Sequence, residues 1–113
     1  MKINDYSKQA ITTLLGDHAT ADMDATLLSQ VFGLVGESGE VAEKFKKLIR
    51  DKKGQISDHD KAEILKELGD ILWYINSVAH LLGSDLEEVA SKNLDKVLSR
   101  KARGTTAGSG DNR

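Results

Sequence analysis

The sequence predicts an all-α protein built from four helices. Proline is absent from its 113 residues, strong helix formers fill most of the chain, and no segment sustains the period-two alternation of a strand. Apolar residues instead recur every three or four positions in four segments, which glycines or short polar stretches separate. We therefore expect a bundle-like fold of four helices.

The first two helices are defined by their apolar stripes. The first runs from about Asp5 to Leu15 and ends at Gly16, a residue type that commonly terminates helices. The second is long, from about Asp24 to Asp51, and its stripe keeps the helical period throughout. Its apolar positions are Leu27, Val31, Leu34, Val41, Phe45, Leu48 and Ile49. We expect Tyr6 of the first helix and Phe45 of the second to lie in the core.

The last two helices are defined by capping signals. The third follows Ser57, which forms a Ser-x-x-Asp capping arrangement with Asp60, and runs to about Leu82 before a glycine. The fourth opens on Ser84-Asp85-Leu86-Glu87, read as a capping box, and reaches about Arg103. The break between helices two and three, roughly residues 52–58, is short enough to force an antiparallel central hairpin.

By length the chain forms one domain, residues 1–103, followed by a Gly- and Ser-rich tail, residues 104–113. The tail has the composition of a flexible segment, and we expect it to dock on the domain or on a neighbouring subunit. A domain of this size can leave part of its burial to partner subunits. We therefore expect a homo-oligomer.

Composition excludes several functions. The net charge is −2 with 30% charged residues, so no basic field is present to bind the backbone of duplex DNA or RNA. There is no cysteine for a disulfide framework or a thiolate nucleophile. The first residues lack the apolar core of a signal peptide, and no apolar run approaches the ~18 residues that span a bilayer. We expect a soluble, cytoplasmic protein without a membrane partner.

Two acidic pairs with the same spacing are the strongest indication of function. Glu37 and Glu40 lie on the second helix, and Glu67 and Asp70 lie on the third. Residues three apart share one face of a helix, and both pairs fall on the same edge of the apolar stripe. The break of the hairpin lies midway between them, which sets the pairs level to within about one helical turn of ~5.4 Å. We predict a cluster of four carboxylates.

Four close carboxylates repel one another and raise one another's pKa unless a cation neutralises them. Oxygen ligands alone favour Mg²⁺, with Mn²⁺ as the substitute, over iron or zinc. A di-iron bundle would carry Glu-x-x-His motifs, and His18, His59 and His80 form none. A single acidic pair would be typical of a solvated helix face that pairs with lysines.

The residues around the two pairs resemble those of a known family. Residues 36–43 read Gly-Glu-Ser-Gly-Glu-Val-Ala-Glu and residues 67–74 read Glu-Leu-Gly-Asp-Ile-Leu-Trp-Tyr, with 26 residues between Glu40 and Glu67. This is similar to the Glu-x-x-Glu, spacer, Glu-x-x-Asp signature of MazG-like nucleoside triphosphate pyrophosphohydrolases. The resemblance covers about Tyr6 to Arg113, and the ending of the chain resembles a compact, single-domain bacterial or phage-type subgroup.

The resemblance implies a MazG-type all-α fold that assembles as a homodimer or a dimer of dimers. It implies Mg²⁺-dependent hydrolysis of nucleoside triphosphates, dNTPs in particular, canonical or aberrant, to the monophosphate and pyrophosphate, in a house-cleaning role. The metal ligands would be Glu37, Glu40, Glu67 and Asp70. The catalytic residues would be Glu67 and Glu40, the latter as general base because it lies farther from the core.

The substrate side is expected on three helices. Asn93 falls inside the apolar stripe of the fourth helix, where an asparagine needs a partner, and Lys96 and Arg100 follow on one edge. The resemblance places these residues among nucleotide contacts; Lys44 and Tyr74 of the acidic edge complete the predicted substrate-binding set. Some pyrimidine-specific relatives have an aromatic residue at the position of Lys47, so their base preference does not transfer.

Trp73 is expected to pack at a subunit interface. Two other interpretations of the function stay open at this point. An acidic helical face of this kind also fits a non-enzymatic interaction module that docks a basic partner. A di-metal redox bundle is the more distant interpretation.

Overall fold

The computed structural model describes residues 1–16 and 24–113, and these residues are helical with no strands. The helices are α1 (Ile3–Ile11), α2 (Ala25–Lys52), α3 (Asp58–Leu81) and α4 (Leu86–Arg103). The predicted all-α class with four helices is confirmed. His18, one of the three histidines considered above, lies outside the described residues. None of the helices in this part of the chain is both long enough and apolar enough to cross a membrane.

Helix α1 begins two residues earlier than predicted and ends four residues earlier, at Ile11. The hydroxyls of Thr12 and Thr13 donate to the carbonyl oxygens of Gln9 and Ala10, at 2.6 and 2.7 Å. The same carbonyls also accept from the backbone N–H groups of Thr12 and Thr13, so each has two donors at the end of the helix. Leu14 then turns into the core, where it is buried.

The ends of α2 and α3 follow the capping signals. The Asp24 carboxylate accepts from the Leu27 N–H at 2.8 Å, and α2 ends at Lys52, after which the C-cap residue Lys53 adopts a left-handed conformation with φ 53°. Ser57 and Asp60 form the predicted capping box at the start of α3. Lys52 Nζ bonds the Asp60 carboxylate at 2.8 Å, which joins the end of α2 to the start of α3.

The cap of α4 differs by one residue from the prediction. Asp85 is the N-cap, and its carboxylate accepts from the Glu88 N–H at 2.8 Å. The hydroxyl of Ser84 donates instead to the Glu88 carboxylate at 2.6 Å. The shift follows from chemistry, because Asp85 and Glu88 have the same spacing as a capping box and Asp is as good a cap as Ser.

The core lies where α1, the start of α2 and the end of α3 meet. Its centre is formed by buried leucines, with partly buried apolar residues packed around them: Leu14, Leu27 and Leu81, then Ile11, Val31, Trp73 and Val78. Beside it, the Ser7 hydroxyl donates to the Asn76 side-chain carbonyl, and Asn76 Nδ2 donates to the Ser7 carbonyl oxygen at 3.0 Å. This buried polar pair fixes α1 on α3.

Helices α2 and α3 form the main packing contact of the chain. Near the start of α2, Gln30 accepts from the Ser77 hydroxyl at 2.9 Å, and at its end Lys52 reaches Asp60. Helix α4 packs on α1 and α3 and, both helices being described in full, makes no contact with α2.

Much of the apolar surface of the described chain stays uncovered. Helix α4 buries only Leu86 and Arg100, while Leu94 is 55% exposed. Asn93 is therefore exposed rather than buried as predicted, because no helix among the described residues covers the stripe around it. Phe45 was also predicted in the core but is 41% exposed, because the described residues leave much of its side chain uncovered.

The residues after α4 fold back onto that helix. The Arg113 guanidinium donates to the carbonyl oxygens of Thr105, Thr106 and Gly110. The Asp111 carboxylate lies 3.1 Å from Lys96 Nζ and 3.4 Å from Arg100 Nη2. Two cations of α4 therefore hold the tail through one carboxylate.

Candidate functional site

Three of the four predicted acidic residues come together between α2 and α3. Glu37 of α2 and Glu67 and Asp70 of α3 each offer a carboxylate oxygen, and these oxygens lie within 4.8 Å of one another. We call these residues the acidic triad. Glu67 and Asp70 share a face because they are three apart on one helix, and the packing of α2 on α3 places Glu37 opposite them. Glu37 and Glu67 are half-buried, and Asp70 is exposed.

The acidic triad is electrostatically strained. Burial raises the pKa of Glu37, and a side-chain hydrogen bond with Glu67 raises it further. The negative charges of Asp70, Glu67 and Glu40 act in the same direction. Glu37 therefore favours either a proton or a cation, which is the behaviour expected of a carboxylate in a metal site.

Glu40, the fourth predicted ligand, does not belong to the group that the described residues bring together. It is exposed, one turn along α2 from Glu37. Its charge nevertheless raises the pKa of Glu37, which places it within electrostatic reach of the site. Its roles as ligand and as general base stay predictions.

Lys44 supplies the positive charge next to the acidic triad. Its Nζ lies 3.7 Å from Glu67 Oε1, which partly offsets the negative charge of the site. Lys44 also lines a cavity of about 190 Å³ between α2 and α3, together with Lys47 and His59. Lys47 lies 4.0 Å from Glu43, on the side of α2 that faces this 190 Å³ cavity.

An aromatic wall borders the acidic triad. A cavity of about 320 Å³ is lined by Glu37, Asp70, Trp73 and Tyr74. The rings of Trp73 and Tyr74 meet edge to face, with centroids 5.0 Å apart and an interplanar angle of 86°. Trp73, which we expected at a subunit interface, packs against the core of its own chain and donates from Nε1 to the Thr13 hydroxyl at 2.8 Å.

Tyr6, which we expected in the core, lies in the region of the site. Burial raises the pKa of its phenol, and the charge of Asp70 raises it further. The phenol therefore lies near the acidic triad. No local signal marks this role, because the position of Tyr6 depends on how the Ser7 and Asn76 pair seats α1 on α3.

Helices α2 and α4, both described in full, do not contact each other. No such contact therefore brings the predicted substrate-binding residues of α4 to the acidic triad. Asn93 is exposed. Lys96 and Arg100 hold Asp111 of the tail, and Arg100 is only 7% exposed. The Nε of Arg100 is buried and has no hydrogen-bond partner among the described residues.

The donors of the acidic triad fit a hard divalent cation. All three are carboxylate oxygens, they converge from two rigid helices, and their mutual repulsion would be relieved by a bound cation. Zinc and iron sites in proteins more commonly include nitrogen or sulfur donors, and none lies in this group.

Comparison with known proteins agrees with this geometry. A family model described as the MazG nucleotide pyrophosphohydrolase domain matches residues 25–104. The Gene 37 protein of Mycobacterium phage L5 is 49% identical over 81 residues, which cover 72% of this chain and 71% of that protein. Its name states no activity, and no solved structure gives a significant match.

Proposed function

Because the chain belongs to the MazG nucleotide pyrophosphohydrolase domain family, we propose that it hydrolyses nucleoside triphosphates to nucleoside monophosphates and pyrophosphate. The preferred substrates are dNTPs, canonical or aberrant, and the role is the cleansing of the cytoplasmic nucleotide pool. The observation that carries the proposal is the acidic triad, which forms at the positions that match the two acidic motifs of the family signature.

Glu37, Glu67 and Asp70 would hold Mg²⁺, or Mn²⁺ in its place, with Glu40 as a further ligand or as the base. When bound, the metal neutralises charge on the phosphate oxygens and promotes ionisation of the attacking water. The raised pKa of Glu37 supports this assignment, because a carboxylate that resists ionisation in the metal-free protein gains most from a nearby cation.

The reaction needs no covalent bond to the protein. The water oxygen forms a bond to the α-phosphorus while the bond from that phosphorus to the α,β-bridging oxygen breaks, and pyrophosphate leaves with the bond's electron pair. Glu40 is exposed one turn from Glu37, so its carboxylate is available to take the proton of the water. Lys44, held 3.7 Å from Glu67, keeps positive charge beside the site.

The nucleoside and phosphate ends of the substrate are assigned to different surfaces. Tyr74, in the wall of the 320 Å³ cavity next to the triad, contacts the nucleoside. Asn93, Lys96 and Arg100 bind phosphate, and the Asp111 carboxylate already occupies the two cations. A bound nucleotide replaces that carboxylate, so residues 104–113 belong to the function of domain 1–103 rather than forming an idle tail.

We place this site in a homodimer or a dimer of dimers. The chain exposes 7979 Å², whereas a folded monomer of 12.3 kDa exposes about 6,100 Å² by the usual scaling with mass. The excess of about 1,900 Å² is more than twice the ~800 Å² per partner of a standard interface. Contacts that pair Gln30 with Ser77 and Lys52 with Asp60 support the antiparallel hairpin on which this assembly would be built.

The decisive experiment is a panel of canonical and modified nucleoside triphosphates assayed with Mg²⁺ for pyrophosphate release. We expect turnover by the wild-type protein and a loss of about a hundredfold or more in kcat for Glu67→Gln, as is typical when a group that stabilises the transition state is removed. Circular dichroism of Glu67→Gln should show an unchanged helical fold.

The matched control is Asp95→Asn, which removes an exposed carboxylate of α4 that belongs to no described ion pair or metal group. Its turnover should equal that of the wild type. Equal turnover by Glu67→Gln and the wild type, or no pyrophosphate from any nucleotide, would refute the enzyme assignment and favour a non-enzymatic interaction module.

A further inference from the structure

Gly33 of α2 lies directly against the ring of Tyr74 on α3. A Cβ atom built at Gly33 would lie 2.1 Å from Tyr74 Cε1, 2.4 Å from Cζ and 2.8 Å from Cδ1. Carbon atoms that are not bonded to each other stay about 3.5–4.0 Å apart at optimal contact. No other residue type fits at position 33 unless the ring or the helix moves.

The other glycines of α2 and α3 differ in this respect. A Cβ built at Gly36, Gly39 or Gly69 meets no described atom within 4 Å. A glycine inside a helix is less favourable than alanine, and among these glycines only Gly33 has a contact within the described chain that accounts for the choice. The contact lies next to the acidic triad, because Gly33 lies one turn before Glu37 and Tyr74 lies one turn after Asp70.

The Tyr74 ring has little freedom to give way. The edge-to-face contact with Trp73, at 5.0 Å between centroids, restrains it on one side, and Trp73 is itself tied to Thr13 by a 2.8 Å hydrogen bond. The backbone carbonyl of Tyr74 accepts from the Ser77 hydroxyl at 3.0 Å. A side chain at position 33 would therefore displace the ring, which lines the cavity together with Glu37 and Asp70.

We infer that Gly33 is a positioning residue for substrate. By lacking a side chain, it seats the Tyr74 ring against α2 and sets the aromatic wall of the cavity beside the acidic triad, where the nucleoside docks. The inference rests on the proposed function, since it assigns Gly33 a role in the same site. Gly33 acts only through Tyr74 and not through the metal ligands.

The test is a double-mutant cycle with Gly33→Ala, Tyr74→Ala and the combination of both, measured as kcat and KM for the best dNTP. We expect Tyr74→Ala to raise KM about tenfold, the size of one base–aromatic contact, with kcat within about twofold. Gly33→Ala should raise KM by a similar factor. The double variant should match Tyr74→Ala alone, because without the ring nothing opposes the new methyl group.

The matched control is Gly36→Ala, which adds the same methyl group to α2 in open space and should leave KM unchanged. Trp73 is the only tryptophan of the chain, so its fluorescence reports on the neighbouring Tyr74 ring without any need for turnover. Gly33→Ala should change the emission of Trp73, and it should leave the Mg²⁺ dissociation constant within about twofold of the wild type.

Three results would overturn the inference: multiplicative KM effects in the double variant, loss of Mg²⁺ affinity in Gly33→Ala, or Trp73 emission equal to that of Gly36→Ala. If Gly33→Ala does not fold, the cycle reduces to the double variant, whose KM must equal that of Tyr74→Ala. A wild-type protein that hydrolyses no nucleotide would refute the proposed function, while the fluorescence comparison would still decide whether Gly33 positions the ring.

Discussion

Glu37 shows most directly why the acidic triad would favour a bound cation. It is half-buried between two helices and close to Glu67 and Asp70, so its ionised form is disfavoured by burial, by the hydrogen bond with Glu67 and by neighbouring charge, in that order. A proton or a metal ion relieves the same repulsion. In the proposed metal site the two would compete for one group, which would link the stability of the protein to both pH and Mg²⁺.

The sign of this linkage gives a prediction. Because the pKa of Glu37 is raised in the folded state, its contribution to stability is complete below the ordinary pKa of glutamate, about 4.3, and is lost as pH rises through the raised value. In metal-free buffer, the melting temperature of the wild type should therefore fall relative to Glu37→Gln between about pH 4 and neutral pH.

The measurement is thermal unfolding of both proteins across that range, with Asp95→Asn as the control for removal of an unrelated carboxylate. Mg²⁺ should raise the melting temperature of the wild type at neutral pH and have a smaller effect on Glu37→Gln. A difference between the two proteins that does not vary with pH would contradict the prediction.

At the scale of elements, the capping of α3 ties the start of that helix to the end of α2. Ser57 and Asp60 satisfy each other's backbone N–H groups, and Asp60 also binds Lys52 at the end of α2. The bonds from Lys52 and Ser57 hold the pKa of Asp60 well below its usual range. One short segment thereby fixes both the start of α3 and its register against α2, which aligns the acidic triad.

Loss of this cap should therefore destabilise the protein. Ser57→Ala removes the hydroxyl that accepts from the Asp60 N–H at 3.1 Å and should lower the free energy of unfolding by about 1 kcal/mol. Urea denaturation at neutral pH measures this change.

Ser38→Ala is the matched control, since the Ser38 hydroxyl donates to the Leu34 carbonyl in the middle of α2, where alanine is at least as favourable. Equal midpoints for the two variants would show that the cap contributes nothing.

At the scale of the whole molecule, the chain leaves much apolar surface exposed. Its exposed surface exceeds that of a typical monomer of its mass, and large apolar residues on α2, α3 and α4 contribute, among them Phe32 at 65%, Leu65 at 66% and Leu94 at 55%. Large apolar side chains that stay exposed in this way are available to pack in a protein interface. In the proposed assembly, a second copy of the chain covers this apolar surface.

We predict that a charge on the apolar face of α4 dissociates this assembly. Leu94→Glu should shift the protein to a smaller species in analytical ultracentrifugation, because an unpaired carboxylate is costly to bury in an interface. Ser99→Glu places the same charge about 140° around α4, beside Arg103, whose guanidinium already contacts Ser99.

Ser99→Glu should therefore sediment like the wild type. Monomeric wild-type protein at all concentrations would contradict the proposed assembly, as would identical sedimentation of Leu94→Glu and Ser99→Glu.

Sequence periodicity and capping chemistry were sufficient for α2, α3 and α4, whose bounds depend on local signals such as Asp24 and Ser57. The cap of α4 was placed one residue early because Ser84 and Asp85 compete for the same position, and the local pattern does not decide between them. The end of α1 was missed because Thr12 and Thr13 close the helix with their own side chains, a signal weaker than the glycine that follows.

The candidate site divides in the same way. Glu37, Glu67 and Asp70 could be predicted together, because helical spacing and the hairpin break are both readable along the chain. The burial of Arg100 under Asp111, the proximity of Tyr6 to Asp70 and the exposure of Asn93 could not. Each depends on which helix covers which face, and that is set by long-range contacts such as the one between Ser7 and Asn76.

The sequence by itself determined the helical class, most element boundaries and the identity of the acidic residues, because these follow from interactions between residues within a few positions of one another. Only the tertiary structure decided how closely α2 and α3 approach. At Gly33 a side chain would overlap the ring of Tyr74, a residue far along the chain, and steric exclusion between such partners leaves no local trace in the sequence.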